Sequence, residues 1–166
     1  MELSDSQVLK IIEKYRLDPQ KLISILLDIQ EASGRNYVSQ RYSQLVSKVL
    51  GVHITRIFEV LTFYSMFSTQ PRGRHIIEIC QSTPCHFQGG DTCVSWFSSI
   101  LGLEVGETSP DNLFTLQRTN CLGACQGGPS VKIGDDIFGD LTKEKVETLI
   151  QSFRDNLPIL REALRC

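Results

Sequence analysis

The hydrophobic period of the chain changes once, at Gln70-Pro71-Arg72-Gly73-Arg74, and that change constrains the fold more than any single residue. Before it, apolar residues recur at i, i+3, i+4 and i+7, the spacing of one helix face. Val8, Ile11, Ile12 and Tyr15 fit this template, as do Leu22, Ile25, Leu26 and Ile29. Tyr42, Leu45, Val46 and Val49 repeat it, and so do Ile54, Ile57, Phe58 and Leu61. Four amphipathic helices are therefore expected over residues 4–67. Their ends carry signals of their own. Ser4 stands three residues before Gln7, a capping-box spacing. Asp18-Pro19 offers an N-cap followed by a proline whose missing N–H costs nothing there. Ser39 suits an N-cap, and Gly34 and Gly51 fall where left-handed C-terminal residues belong.

After the boundary the segments shorten. His75–Cys80 is β-branched and reads as a strand that ends on a cysteine. Residues 88–101 read as a helix, with Cys93, Trp96, Phe97 and Ile100 on one face, ended by Gly102. Leu113–Thr119 reads as a second strand, again ending just before a cysteine. Ser130–Ile133 and Asp136–Phe138 read as a hairpin around Gly134-Asp135. A last helix is expected from Thr142, with Val146, Leu149, Ile150 and Phe153 inward, continuing over 157–165 after a kink at Pro158. The second part is thus α/β, with two crossovers and a final hairpin.

Lys and Arg number 17 against 19 Asp and Glu, a formal charge of -2, which gives no reason to expect nucleic acid or an anionic membrane as partner. No apolar run approaches the roughly 20 residues of a membrane span. The polar, acidic start Met1-Glu-Leu-Ser-Asp-Ser-Gln is unlike a signal peptide, so a cytoplasmic location is expected. Six cysteines in such a reducing compartment point to metal or redox chemistry rather than to a disulfide scaffold.

Four of the six are paired: Cys80-Gln-Ser-Thr-Pro-Cys85 and Cys121-Leu-Gly-Ala-Cys125. Each pair is expected in a loop where a strand ends, Pro84 stiffening the first. Gly123, Gly127 and Gly128 would allow positive φ and close backbone approach in the second. Four thiolates from two loops can hold an iron–sulfur cluster or a zinc ion, and spacing alone leaves both open. A structural-zinc interaction module is the alternative reading. A thioredoxin-type dithiol enzyme would need C-x-x-C, which is absent. Cys93 falls on an apolar helix face and reads as a buried hydrophobe. Cys166 reads as a free terminal thiol. His86, directly after Cys85, is expected as a partly exposed imidazole beside the site. His53 and His75 read as structural or solvated. The sequence holds no Gly-x-Gly-x-x-Gly, phosphate-loop or Gly-x-Ser-x-Gly motif, so no nucleotide or flavin of its own and no catalytic residue are expected.

Val60-Leu-Thr-Phe-Tyr64, Pro71-Arg-Gly73, Cys80-x4-Cys85-His86 and Cys121-Leu-Gly-Ala-Cys125 with the following Gly-Pro129 together resemble the thioredoxin-like [2Fe-2S] subunit of NADH dehydrogenases. Close relatives of that subunit occur in NAD(P)-linked hydrogenases, including electron-bifurcating ones, and in formate dehydrogenases. The resemblance covers nearly the whole chain. It implies an α+β fold: an N-terminal helical bundle, residues 1–70, then a thioredoxin-like [2Fe-2S] domain with a mixed sheet, residues 74–166. It implies that Cys80, Cys85, Cys121 and Cys125 hold a [2Fe-2S] cluster. It further implies electron transfer beside a flavin- and NAD(H)-binding partner subunit with further iron–sulfur clusters. Cys93 and the run Cys125-Gln-Gly-Gly-Pro129 depart from the family pattern without touching the implied ligands. Arg35, Tyr37, Arg41 and Tyr42 are the expected contacts of the helical part with that partner.

Overall fold

A computed structural model describes residues 3–157. The expected continuation after Pro158, and Cys166, lie outside the described residues. The chain divides into two compact units between Arg72 and Gly73.

The first unit holds four helices: α1 (Asp5–Lys14), α2 (Leu22–Ala32), α3 (Gln40–Leu50) and α4 (Ile54–Phe63). The capping box forms as the sequence suggests. The Ser4 hydroxyl accepts from Gln7 N–H, and the Ser4 N–H donates to Gln7 Oε1 at 2.9 Å. Asp18 accepts from Gln20 N–H at 2.9 Å and opens a single 3-10 turn, Pro19–Lys21, ahead of α2. Ser39 caps α3, and His53 Nδ1 accepts from Thr55 N–H to cap α4. Val8, Ile12, Ile25, Leu26, Ile29, Val46 and Ile57 form the core. Phe58 departs from the expected face. The inner row of α4 is Ile57, Val60 and Leu61, which leaves Phe58 exposed. Tyr37 and Tyr42, expected as partner contacts, are buried instead. Tyr42 lies in the bundle core, where its hydroxyl accepts from Leu3 N–H at 2.7 Å, so its ring is spent on packing. Arg41 is exposed and pairs with Asp5 at 2.6 Å.

The second unit is a four-stranded mixed sheet of order β2-β1-β3-β4, made of β1 (His75–Cys80), β2 (Phe114–Thr119), β3 (Val131–Ile133) and β4 (Asp136–Phe138). β1 and β2 are parallel, with Cys80 opposite Thr119; β3 runs antiparallel to β1 and β4. Alternation decides the faces. Ile77, Ile79, Phe114, Leu116, Val131, Ile133 and Phe138 form one buried cluster with Phe97 of helix α6 (Gly90–Leu101) and Leu149 and Phe153 of helix α7 (Lys143–Arg154). The other face carries a polar row: Glu78 accepts from Gln117 at 3.0 Å and pairs with Lys132 at 3.3 Å.

The two crossovers differ. The β1–β2 connection is helical but broken. Thr83–Phe87 forms a short helix, α5, and α6 starts only at Gly90. Gly89, at φ +93°, makes the break, because that conformation is strained for any residue with a Cβ. The second connection, from β2 over β1 to β3, is an irregular loop with one 3-10 turn, Cys125–Gly127. Because β1 and β2 are parallel and in register, both connections leave from the same end of the sheet, and both cysteine pairs lie there.

Candidate iron–sulfur site

Cys80 is the last residue of β1, and its N–H donates to the Ser130 carbonyl at 3.0 Å. Cys85 sits inside α5 rather than in the expected loop. Pro84 explains the difference: near a helix start its missing N–H has no intrahelical acceptor to forgo, so it favours a helical turn over a stiff loop. Both Cys80 and Cys85 are buried. In the second pair Cys121 is exposed and Cys125 half-buried, their sulfurs 3.7 Å apart. Gly123 between them has φ +83°. Gly128, expected to allow positive φ and close backbone approach, is extended. A Cβ there would stand 2.6 Å from Gln88 Oε1, so close approach is what this position asks of its residue.

The two pairs meet. Burial works to raise the Cys80 thiol, yet it is held below its ordinary value. The Ser82 N–H, the Cys85 side chain, the Leu122 N–H and the Ser82 hydroxyl all favour its ionised form. The second loop also meets the first arm directly, because Gln88 Nε2 donates to the Cys125 carbonyl at 3.1 Å. Cys125 is pushed the other way, first by its hydrogen bond with the Cys121 side chain and by that neighbour's charge, then by burial and by Cys85 and Cys80. Gly90 is packed against the first arm: a Cβ there would lie 2.9 Å from the Cys85 carbonyl oxygen.

These four residues fit a thiolate-held cluster. Ligand sulfurs must be deprotonated, and backbone N–H groups already favour that form at Cys80. Among the described residues no group of three or more cysteine, histidine, aspartate or glutamate side chains stands close enough to hold a metal ion as placed.

The sequence model of the thioredoxin-like [2Fe-2S] ferredoxins matches residues 8–154. The chain belongs to that family. Membership brings the [2Fe-2S] cofactor with it and leaves the zinc reading without support. Among curated relatives of this ferredoxin, NADH dehydrogenase [ubiquinone] flavoprotein 2 of Dictyostelium discoideum is 35% identical over 92% of the chain. The chain spans 62% of that relative's length. An NADH-quinone oxidoreductase subunit of Rickettsia felis is 36% identical over 88% of both chains. A solved NAD+-reducing [NiFe]-hydrogenase superposes with a TM-score of 0.68 over 81% of this chain and 23% of its own, at 17% identity. That likeness speaks for the fold alone.

The remaining expected residues fall as follows. Cys93 is fully buried among the sheet and helix side chains, and burial pushes its thiol up to about 12, with the nearby Cys85 adding to the shift. His86 is exposed beside Cys85, its Nδ1 3.2 Å from Asp91, which also pairs with Arg118 at 2.9 Å. The Arg118 hydrogen bond is the main reason the Asp91 carboxyl is held below the usual range. His75 packs against Phe153 with its ring tilted, ring centres 4.9 Å apart. Sequence reasoning missed Ser82, Gln88, Leu122 and Ser130. Two of them act through backbone N–H groups, which leave no mark in a sequence.

Proposed function

We propose that this ferredoxin is a non-catalytic electron-transfer subunit, its [2Fe-2S] cluster held by Cys80, Cys85, Cys121 and Cys125. The observation that carries the assignment is the arrival of both cysteine pairs at one end of the sheet, where Gln88 of the first arm donates to the Cys125 carbonyl of the second. All four cysteines would hold the cluster through their deprotonated thiolates. When bound, such a cluster takes up and returns single electrons. The Ser82 and Leu122 N–H groups would offset the negative charge at Cys80, a contribution that raises the reduction potential. Exposed Cys121 marks the side open to an electron-transfer partner.

We further infer that the partner is a flavin- and NAD(H)-binding subunit with further iron–sulfur clusters, within an NADH-linked oxidoreductase of the NADH dehydrogenase or NAD-linked hydrogenase kind. The names of the relatives support this. So do exposed Phe58, Phe63 and Met66 on the helical unit, apolar area of the sort that a partner covers. Residues 74–166 would form the cluster domain and residues 1–70 a helical docking element. Among the described residues no helix is long and apolar enough to cross a membrane, and a cytoplasmic location fits the reducing chemistry of the site.

Anaerobic purification tests the assignment. The expected sample is red-brown, carries about two irons per chain, bleaches with dithionite and oxidises no NADH without its partner. A colourless, iron-free chain, or one rich in zinc, overturns it.

A further inference from the structure

Two side chains outside the four cysteines tie one arm of the site to the other. Gln88 follows α5, three residues after Cys85, and its Nε2 donates to the Cys125 carbonyl at 3.1 Å. Ser130 is buried beside the first pair. Its hydroxyl donates to the Ala124 carbonyl at 2.8 Å, and the Cys85 thiol lies 3.9 Å from its Oγ. The two acceptors are consecutive carbonyls of the loop that carries the second pair. That loop has no ladder of its own; a 3.3 Å bond from Gly127 N–H to the same Ala124 carbonyl closes its single 3-10 turn. Gln88, reaching in from the other arm, and Ser130, at the foot of β3 beside Cys85, therefore weigh heavily on where Cys125 lies. The Gln88 amide also rests against the bare Cα of Gly128, where a Cβ would stand 2.6 Å from Oε1.

From this we propose that Gln88 and Ser130 are positioning residues, which set the spacing between the Cys80/Cys85 and Cys121/Cys125 arms before iron enters. Neither touches the cluster's irons; each acts by fixing the loop that presents the second pair. The inference rests on the four-cysteine reading above, because the spacing matters only if both arms share one centre. Ser130 works from a buried position against a ligand side chain, and Gln88 from the surface, so the two can be separated by mutation.

The test uses the full chain, purified anaerobically with its iron. Gln88→Met keeps the length of the side chain and removes the donor; Gln88→Arg restores a donor; Ser130→Ala removes the hydroxyl. The rate at which a chelator strips iron is followed, together with the paramagnetic resonance spectrum after dithionite and the melting of the iron-free chain. Loss of either hydrogen bond is expected to speed iron release roughly fivefold and to alter the resonance line shape. Gln88→Arg is expected to restore both, and iron-free Gln88→Met to melt like the native chain. Ser130→Ala alters a buried position, so Gln88→Met decides if that variant misfolds. Native release rates and spectra in Gln88→Met, or a change confined to melting, overturn the proposal while leaving the cysteine assignment standing. A native chain without iron overturns both.

Discussion

The two cysteine arms are built in opposite ways. Cys80 ends a strand bonded on both sides and Cys85 sits within a helix; both are buried, and the sheet and α6 hold them. Cys121 and Cys125 ride on an irregular loop, one exposed and one half-buried, placed by Gln88 and Ser130. Their thiols differ in the same sense: N–H donors hold Cys80 down despite burial, whereas Cys125 is pushed up by its sulfur neighbour. One arm is a fixed wall and the other an adjustable clasp. A site of that kind can be assembled after the fold, because the exposed arm can admit iron while the buried arm already stands in place.

Serine substitutions give the largest expected contrast. Cys85→Ser, in a buried helical turn that cannot shift, is expected to bring iron per chain close to zero. Cys121→Ser, on the exposed loop, is expected to retain a reduced iron content that falls quickly in air. Iron analysis and visible absorption on the same day of purification check this. Equal loss at both positions would mean that the loop arm is as rigid as the strand arm.

Accessibility of the thiols in the iron-free chain separates the arms next. At pH 8 an alkylating reagent is expected to modify Cys121 at least about tenfold faster than Cys85 or Cys93, because reaction needs an exposed thiolate. Peptide mapping by mass spectrometry reads the order directly. Cys85 modified as fast as Cys121 would remove the distinction between wall and clasp.

The strand arm is legible in the sequence and the loop arm only in part, for a physical reason. His75–Cys80 and Leu113–Thr119 announce themselves by β-branched runs, and the structure differs by one residue, β2 starting at Phe114. The helix caps at Ser4, Ser39 and Thr142 are short-range devices, so they too can be read locally. What a local reading misses is phase and context. Pro84 reads as a loop stiffener, but two positions into a helix it is harmless. Phe58 matches the apolar template yet lies one step off the inner row that Ile57 and Leu61 define. Tyr42 stands on the apolar template and is also expected at the partner; the core takes it, and only the Leu3 N–H shows that its hydroxyl is used inside. The hydrogen bonds from Gln88 and Ser130 join residues 37 and 6 apart. No local pattern encodes such pairings.

Two glycines extend the contrast at the scale of about 1–3 kcal/mol. Gly90→Ala would place a Cβ 2.9 Å from the Cys85 carbonyl, backbone that cannot yield cheaply, so a loss of about 1–3 kcal/mol and faster iron release are expected. Gly123→Ala meets open space, and only the strain at φ +83° opposes it, about 1–2 kcal/mol. Thermal melting with and without iron measures both. A larger cost at Gly123 than at Gly90 would reverse the assignment of which arm is tightly packed.

The smallest effect belongs to Cys93, which lies behind the wall and shares no iron with it. Cys93→Ala is expected to cost about 1–2 kcal/mol as a small core truncation, and to leave the visible spectrum unchanged. The pH dependence gives this prediction a second handle. The folded chain holds the Cys93 thiol up to about 12, against an ordinary value of 9.0. The neutral thiol therefore contributes stability in full below about pH 9, and that contribution is lost as pH climbs toward 12. Melting of native and Cys93→Ala chains at pH 7 and pH 10 should accordingly show the gap between them narrowing at the higher pH. A gap independent of pH would mean that Cys93 ionises freely in the fold. Loss of colour in Cys93→Ala would move it from the core into the ligand set.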